Sequence, residues 1–285
     1  MNQVLVTSGD RVAHLRINRP ERLNVLDPTV YRELFEALDD AYADPAIGAI
    51  VLSGEGDHFS AGFDLGTSDD ASVQESVWSQ WDAMQRQRTA MASIGDSPKP
   101  IVAAVRGYCL GGGFELANYC DFIVAAEDAV FGEPEVRFSL VAHPRLLYFV
   151  PLRKAKEIQL LGENFGADYA ERIGLINEVV PNDDLETRAL EFAQRLSRVP
   201  AETFRHMKTM MSRVLDIQGM SVAESMLTSD FVVSKLTETS DRIRFRQIRE
   251  AEGLRAALAW SRTKDASTAP ESDLSCTTLV PHSAQ

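Results

Sequence analysis

Two carboxyl groups, Glu115 and Glu135, stand where a proton could be moved beside a polarised carbonyl. Glu115 follows Gly111, Gly112 and Gly113, which end an apolar strand and open a helix. Without Cβ atoms, backbone amides there can approach a bound group and point their N–H bonds at it. A second glycine loop, Ala61-Gly62-Phe63-Asp64, also follows an apolar run, so each loop can offer one amide to a single carbonyl oxygen. Such a pair stabilises an enolate or a tetrahedral oxyanion, and losing one donor costs roughly 3 to 4 kcal/mol. Glu135 arrives in Phe131-Gly132-Glu133-Pro134-Glu135, where Pro134 stiffens the chain and Glu133 is the competing carboxyl. Two carboxyls near such a hole can divide the labour, one ionised as base and one protonated as acid. The structural alternative is that the glycines only let a helix pack on a strand, with Glu115 a solvated first-turn acid favoured by the helix dipole.

The elements needed to position these groups read as α/β. Residues 4–7 and 12–18 form two short strands around the turn Ser8-Gly9-Asp10. Asp27-Pro28 is an N-cap and first-turn signal for a helix with Val30, Leu34, Leu38 and Ala41 on one face. Near-continuous apolar runs at 47–52, 101–105 and 122–126, and a shorter one at 130–131, are strands covered on both faces. A helix at 77–94 intervenes after a polar, acidic loop at 67–74, so parallel crossovers follow. Beyond Pro151 the pattern turns helical, at 154–161, then from an Asp168 cap to Gly174. A strand at 176–180 precedes a helix opened by Asp183 and Glu186 as a capping-box analogue. Helices at 201–215, 222–236 and 249–260 complete the pattern, and a Ser-, Thr- and Pro-rich tail from about residue 265 reads as disordered.

With 45% apolar and 25% charged residues, the 285-residue chain is ordinary for a globular protein. Its net charge of -13 argues against nucleic-acid or anionic-membrane partners. Three cysteines without metal-ligand spacing suit a reducing, cytoplasmic setting. Cys109 and Cys120 read as packing residues. The first residues alternate as a strand and carry Asp10 and Arg11 early, unlike a signal peptide, and no apolar run reaches membrane-spanning length.

The segments FSAGFDL, AAVRGYCLGGGFELANYCD and FGEPE, in that order, resemble the crotonase superfamily, also called the enoyl-CoA hydratase/isomerase family. The likeness runs from RPERLNVL at Arg19 to EGLRAALAWSRTKD at Glu252. It implies a spiral core of ββα turns over 1–198, a helical region over 199–264 used to build a trimer or a dimer of trimers, and a tail over 265–285. It also implies an acyl-coenzyme A thioester as ligand, with coenzyme A part of the substrate and no metal, flavin or redox nucleotide. By position, the amides of Phe63 and Gly112 match the family's oxyanion hole, and Glu115 and Glu135 match the two glutamates of hydratases. Arg22, Leu23, Ala61, Phe63, Asp64, Leu65, Gly66 and Gly112 fall where the family contacts coenzyme A.

The expected activity is reversible hydration of a 2-enoyl-CoA. The alternatives are isomerisation by Glu135 alone, hydrolysis of a thioester or C–C bond, and a non-catalytic acyl-CoA- or RNA-binding role. Two departures stand out. After Glu135 the chain lacks the family's glycine-rich turn, and places His143 and Pro144 near its water-holding amide; proline has no N–H to give. His143 reads as a loop histidine bonded to backbone, or as an inward-facing base if it points into the site. The stretch SDRIRFRQI from Ser240 looks like extra length before the last helix, with Arg242, Arg244, Arg246 and Arg249 as a solvated face. Trp78, Trp81 and Met84 form a helical stripe expected in the core or beside the acyl chain.

Overall fold

The computed structural model describes residues 2–64, 76–137, 143–237 and 239–263. The expected loop at 67–74 and the tail at 265–285 lie outside these. The chain divides into two compact units, Met1–Thr237 and Glu238–Gln285, with two of the four helices after residue 199 in each.

The first unit is built on strand alternation. Strands β1 (Val4–Gly9) and β2 (Val12–Ile17) form the expected hairpin. Its turn is Asp10-Arg11, with φ of 48° and 66°, not Ser8-Gly9-Asp10. A two-residue turn with both φ positive matches the right-handed twist of the strands it joins. Helix α1 (Pro28–Ala43) starts where Asp27 accepts hydrogen bonds from the amides of Thr29 and Val30, and it buries Val30, Leu34, Leu38 and Ala41. It returns the chain to β3 (Ala49–Gly54), parallel to β2. Helix α2 (Val77–Gly95) does the same for β4 (Ile101–Val105). Strands β6 (Phe122–Ala126) and β9 (Glu178–Val180) extend the sheet in parallel, giving the order β1-β2-β3-β4-β6-β9.

Side chains alternate across this sheet. Leu15, Ile50, Leu52, Ile101, Ala103 and Val105 enter the larger core with α1, whereas Val12, Val51, Val102 and Val124 face α7 (Leu185–Leu196). Helix α7 presents Ala189 and Ala193, small enough for close approach. A second sheet of β5 (Tyr108–Leu110), β7 (Val130–Gly132) and β8 (Phe165–Gly166) stands beside the first. Strands β5 and β8 are too short to carry a periodic signal, and only β7 was anticipated.

Between β5 and β6 lies α3 (Gly112–Tyr119), and the chain after β7 forms a 3-10 turn (Pro134–Arg137). Helices α4 (Leu146–Phe149), α5 (Leu152–Leu161), α6 (Ala167–Arg172), α8 (Ala201–Ile217) and α9 (Met220–Leu236) complete the unit. Two expected caps are corrected. Gly166, not Asp168, is the N-cap of α6, and a 3-10 turn (Asn182–Asp184) leads into α7 without any side-chain capping bond. The second unit holds α10 (Ser240–Glu252) and α11 (Leu254–Thr263), so Ser240–Ile248 is itself helix and lies before the last one. Gly253, at a φ of 88°, separates them where the single helix 249–260 was expected.

Candidate active site

The segment 60–64 is clamped on both sides by backbone hydrogen bonds. Ser60 bonds Tyr108 and Leu110, Ala61 donates to Leu23, and Leu26 donates to Gly62 while Asp64 donates to Leu26. This clamp brings the two glycine loops together. A Cβ on Gly62, which sits at a φ of 95°, would lie 2.7 Å from the Leu110 carbonyl oxygen and 3.1 Å from the Gly112 nitrogen. A Cβ on Gly112 would lie 2.8 Å from the Phe63 ring. Backbone therefore packs on backbone, which only glycine permits. Gly112 is the first residue of α3, whose N-terminus has no side-chain cap. Among the described residues, neither the N–H of Phe63 nor that of Gly112 meets an acceptor. Two donors without an acceptor thus lie on two loops that touch, one of them at a helix N-terminus.

Glu115 lies in the first turn of α3, its amide bonded 2.8 Å to Gly111 O, and its side chain is half-buried. Burial raises its pKa; the charge of His143 opposes this, while Glu133 and Glu224 add to it. Glu135 approaches the same helix end from the 3-10 turn. A Cβ on Gly111 would fall 1.8 Å from Glu135 Oε1, so the carboxyl rests directly against that glycine. Glu135 Oε2 is buried with no hydrogen-bond partner among the described residues. Burial, reinforced by Glu133 and Glu115, pushes the Glu135 pKa up to about 8. Two carboxyls, both with raised pKa, therefore share one helix end, an arrangement in which one can serve as acid and the other as base.

The layer around this pair was anticipated only in part. His143 is buried, and its Nδ1 lies 3.1 Å from Glu133 Oε1, so it pairs with a side chain where a backbone bond was expected. Burial disfavours its charge, but the Glu133 hydrogen bond and charge outweigh this and raise its pKa. Behind it, Arg145 lies 2.6 Å from Glu224 of α9 and 4.2 Å above the Tyr119 ring. Tyr119 in turn reaches Glu224 at 3.4 Å. Tyr31 of α1 stacks on Phe63 at 6.4 Å, and its pKa is raised well above normal by burial and by Glu115. The sequence carried two signals of this layer: a charged Glu133 between Gly132 and Pro134 at the end of an apolar strand, and His143, whose inward-facing alternative was open.

The residues that the family resemblance assigns to coenzyme A are placed as follows. Arg22 is exposed on one side and bonds the buried Asp64 at 2.8 Å, while Leu23 is exposed and left-handed, with a φ of 54°. The amides of Ala61 and Asp64 are occupied by Leu23 and Leu26, so these two residues have only carbonyl oxygens to offer from the backbone. Leu65 and Gly66 lie outside the described residues. Trp78 is 73% exposed, against the expected core stripe, while Trp81 and Met84 are half-buried. Cys109 is buried and its thiol is raised well above its usual pKa by burial, which leaves it a packing residue.

With that geometry in place, comparison with known proteins is informative. Residues 7–246 match the family model described as enoyl-CoA hydratase/isomerase. A protein named a probable enoyl-CoA hydratase in Mycobacterium bovis is 34% identical over 228 residues, covering 79% of this chain and 85% of its own. A mevalonyl-coenzyme A hydratase of Aspergillus fumigatus is 36% identical over 67% of this chain and 71% of its own. The crystal structure of an enoyl-CoA hydratase/isomerase from Xanthobacter autotrophicus superposes with a TM-score of 0.85 at 35% identity, covering 91% of this chain and 97% of that one. From the first strand to the second helical unit, this chain belongs to the enoyl-CoA hydratase/isomerase family.

Proposed function

We propose that the protein is an enoyl-CoA hydratase that adds water reversibly across the double bond of a 2-enoyl-CoA thioester. The observation that carries this reading is the convergence of Glu115 and Glu135 on a helix end where the Phe63 and Gly112 amides have no acceptor. In the forward direction, ionised Glu115 takes a proton from water as the oxygen attacks the β-carbon. The π electrons move onto the thioester oxygen, which the two amides hold as an enolate. Protonated Glu135 then delivers its proton to the α-carbon and the carbonyl re-forms. Glu115 ends protonated and Glu135 ionised, and exchange with solvent resets both. The Arg22 guanidinium and the segment at Leu23 and Ala61 lie where coenzyme A would run, and the substrate carries the only cofactor the reaction needs.

The active form is a homotrimer or a dimer of trimers in the cytoplasm, with no nucleic-acid or membrane partner. In support, α8 buries no residue, and it exposes Met207, Met210, Met211 and Val214 while α9 exposes Val222, Met226 and Val233. Apolar helix faces of this kind are covered by a second copy when the protein assembles. No helix among the described residues is long and apolar enough to cross a membrane.

The test is incubation with crotonyl-CoA, with products resolved by chromatography. Hydration predicts 3-hydroxybutyryl-CoA. Release of free thiol would point instead to a hydrolase, turnover of a 3-enoyl but not a 2-enoyl thioester to an isomerase, and binding without turnover to a non-catalytic member.

A further inference from the structure

Glu115 and Glu135 share one pocket with a second pair of ionisable groups, and resting on the hydratase reading, this second pair acquires a role. Glu133 and His143 are 8% and 6% exposed, and their facing atoms are 3.1 Å apart. An ion pair this buried is costly to keep unless something else requires it. Its position is asymmetric. The His143 ring packs against α3, with centroids 6.5 Å from Phe114 and 6.4 Å from Tyr119, on either side of Glu115 along the helix. Glu133 lies two residues before Glu135, at the entry to the same stiff 3-10 turn. The imidazole therefore neighbours the base, and the carboxylate neighbours the acid.

We propose that the Glu133–His143 pair is a positioning element that separates the two glutamates into base and acid: the His143 imidazolium keeps Glu115 ionised, and the Glu133 carboxylate keeps Glu135 protonated. The electrostatics run in the same direction. Apart from burial, His143 is the largest influence on Glu115 and favours its charge, while Glu133 is the largest influence on Glu135 and disfavours its charge; in each case the other member of the pair opposes it more weakly. Other charged or titratable groups face the cluster from each side. Tyr119 on α3, Arg145 on the segment after His143 and Glu224 on α9 form a connected network, and Tyr31 on α1 closes the side toward Glu115. Arg145 and Glu224 also act on Glu115 in opposite directions, each less strongly than His143 or Glu133.

The test is the pH profile of kcat for crotonyl-CoA hydration in wild type, His143→Gln and Glu133→Gln. If Glu115 works ionised and Glu135 protonated, the acid limb reports Glu115 and the alkaline limb reports Glu135. His143→Gln removes a positive neighbour, so Glu115 holds its proton more tightly and the acid limb moves up by about one pH unit. Activity on that limb falls about tenfold and is recovered at higher pH. Glu133→Gln removes a negative neighbour, so Glu135 ionises sooner and the alkaline limb moves down by about one unit, with KM nearly constant in both variants. A loss that is the same at every pH, or limbs that stay in place in folded variants, overturns the proposal. Carboxyl titration by 13C NMR of the free wild-type enzyme reads the same point without turnover and without a variant. Glu115 must titrate below Glu135, and the reverse order overturns the proposal even if the variants do not fold. Should the wild type hydrate no enoyl-CoA, the hydratase reading fails, while the same titration of wild type, His143→Gln and Glu133→Gln still decides whether this pair splits the glutamates.

Discussion

The two arms of the site are built in different ways. The α3 arm, Gly111 to Glu115, is local: a strand ends, three glycines turn the chain, and the first helical turn places an amide and a carboxyl within five residues. The other arm gathers Glu133, Glu135, His143 and Arg145 from irregular chain and ties them to Glu224, distant in sequence, near the start of α9. The first arm is set by backbone geometry that glycine alone tolerates, the second by buried charges that tolerate one another only in pairs. Orientation of the oxyanion donors therefore depends on sterics, and the protonation states of the carboxyls depend on electrostatics. Variants in the two arms should fail in different ways.

The largest effects belong to the carboxyls. Glu115→Gln and Glu135→Gln should each lower kcat for enoyl-CoA hydration by about 10²- to 10⁴-fold with little change in KM, as measured by steady-state kinetics. Loss of less than tenfold in either would remove that residue from the proton path. Next, Arg145→Met leaves Glu224 buried without its 2.6 Å partner, and should cost about 3–5 kcal/mol of stability in denaturant unfolding. An unchanged midpoint would make the second arm far less dependent on pairing than its burial implies.

Gly111→Ala strikes where the arms meet, at a φ of 50° and with a Cβ on top of Glu135 Oε1. Displacing that carboxyl by about 1 Å is expected to lower kcat about 100-fold in a protein that still folds. A kinetically normal Gly111→Ala would show that Glu135 need not rest on α3. The smallest effect has the opposite sign. Burial lifts the Glu135 pKa to about 8 from an ordinary 4.5, so the folded state holds a proton that the unfolded chain releases. Its contribution is favourable at low pH and is lost as pH rises from about 4.5 through about 8. At pH 9, Glu135→Gln should therefore raise stability by at least about 1 kcal/mol, seen as a Tm at least about 2–4 °C higher, while it slows hydration as above. A lower Tm at pH 9 would contradict the buried, unpaired state of this carboxyl.

The contrast between the arms also decides what the amino-acid sequence could reveal. Asp27 capping α1, the face Val30-Leu34-Leu38-Ala41 and the strands at 101–105 and 122–126 are local patterns, and each is found where the pattern places it. The approach of the Phe63 and Gly112 backbones was legible because glycine at a loop has few other uses. The Glu133–His143 and Arg145–Glu224 pairs were not legible, since they depend on which buried charges meet after the chain has folded. Strands of two or three residues, such as β8, form only because a neighbour offers a ladder, and Trp78 lies on a helix with few buried positions. The capping box expected at Asp183 failed for a related reason: a 3-10 turn took the residues that would have formed it.

The central claim is that Glu115 and Glu135 act together on one thioester whose oxygen sits between the amides of Phe63 and Gly112. The most direct measurement is a double-mutant cycle on kcat for crotonyl-CoA hydration, using Glu115→Gln, Glu135→Gln and the double variant. Residues serving a single chemical step give a double variant scarcely slower than the worse single one. Losses that multiply across the cycle, or a double variant that still hydrates at the wild-type rate, would contradict the account.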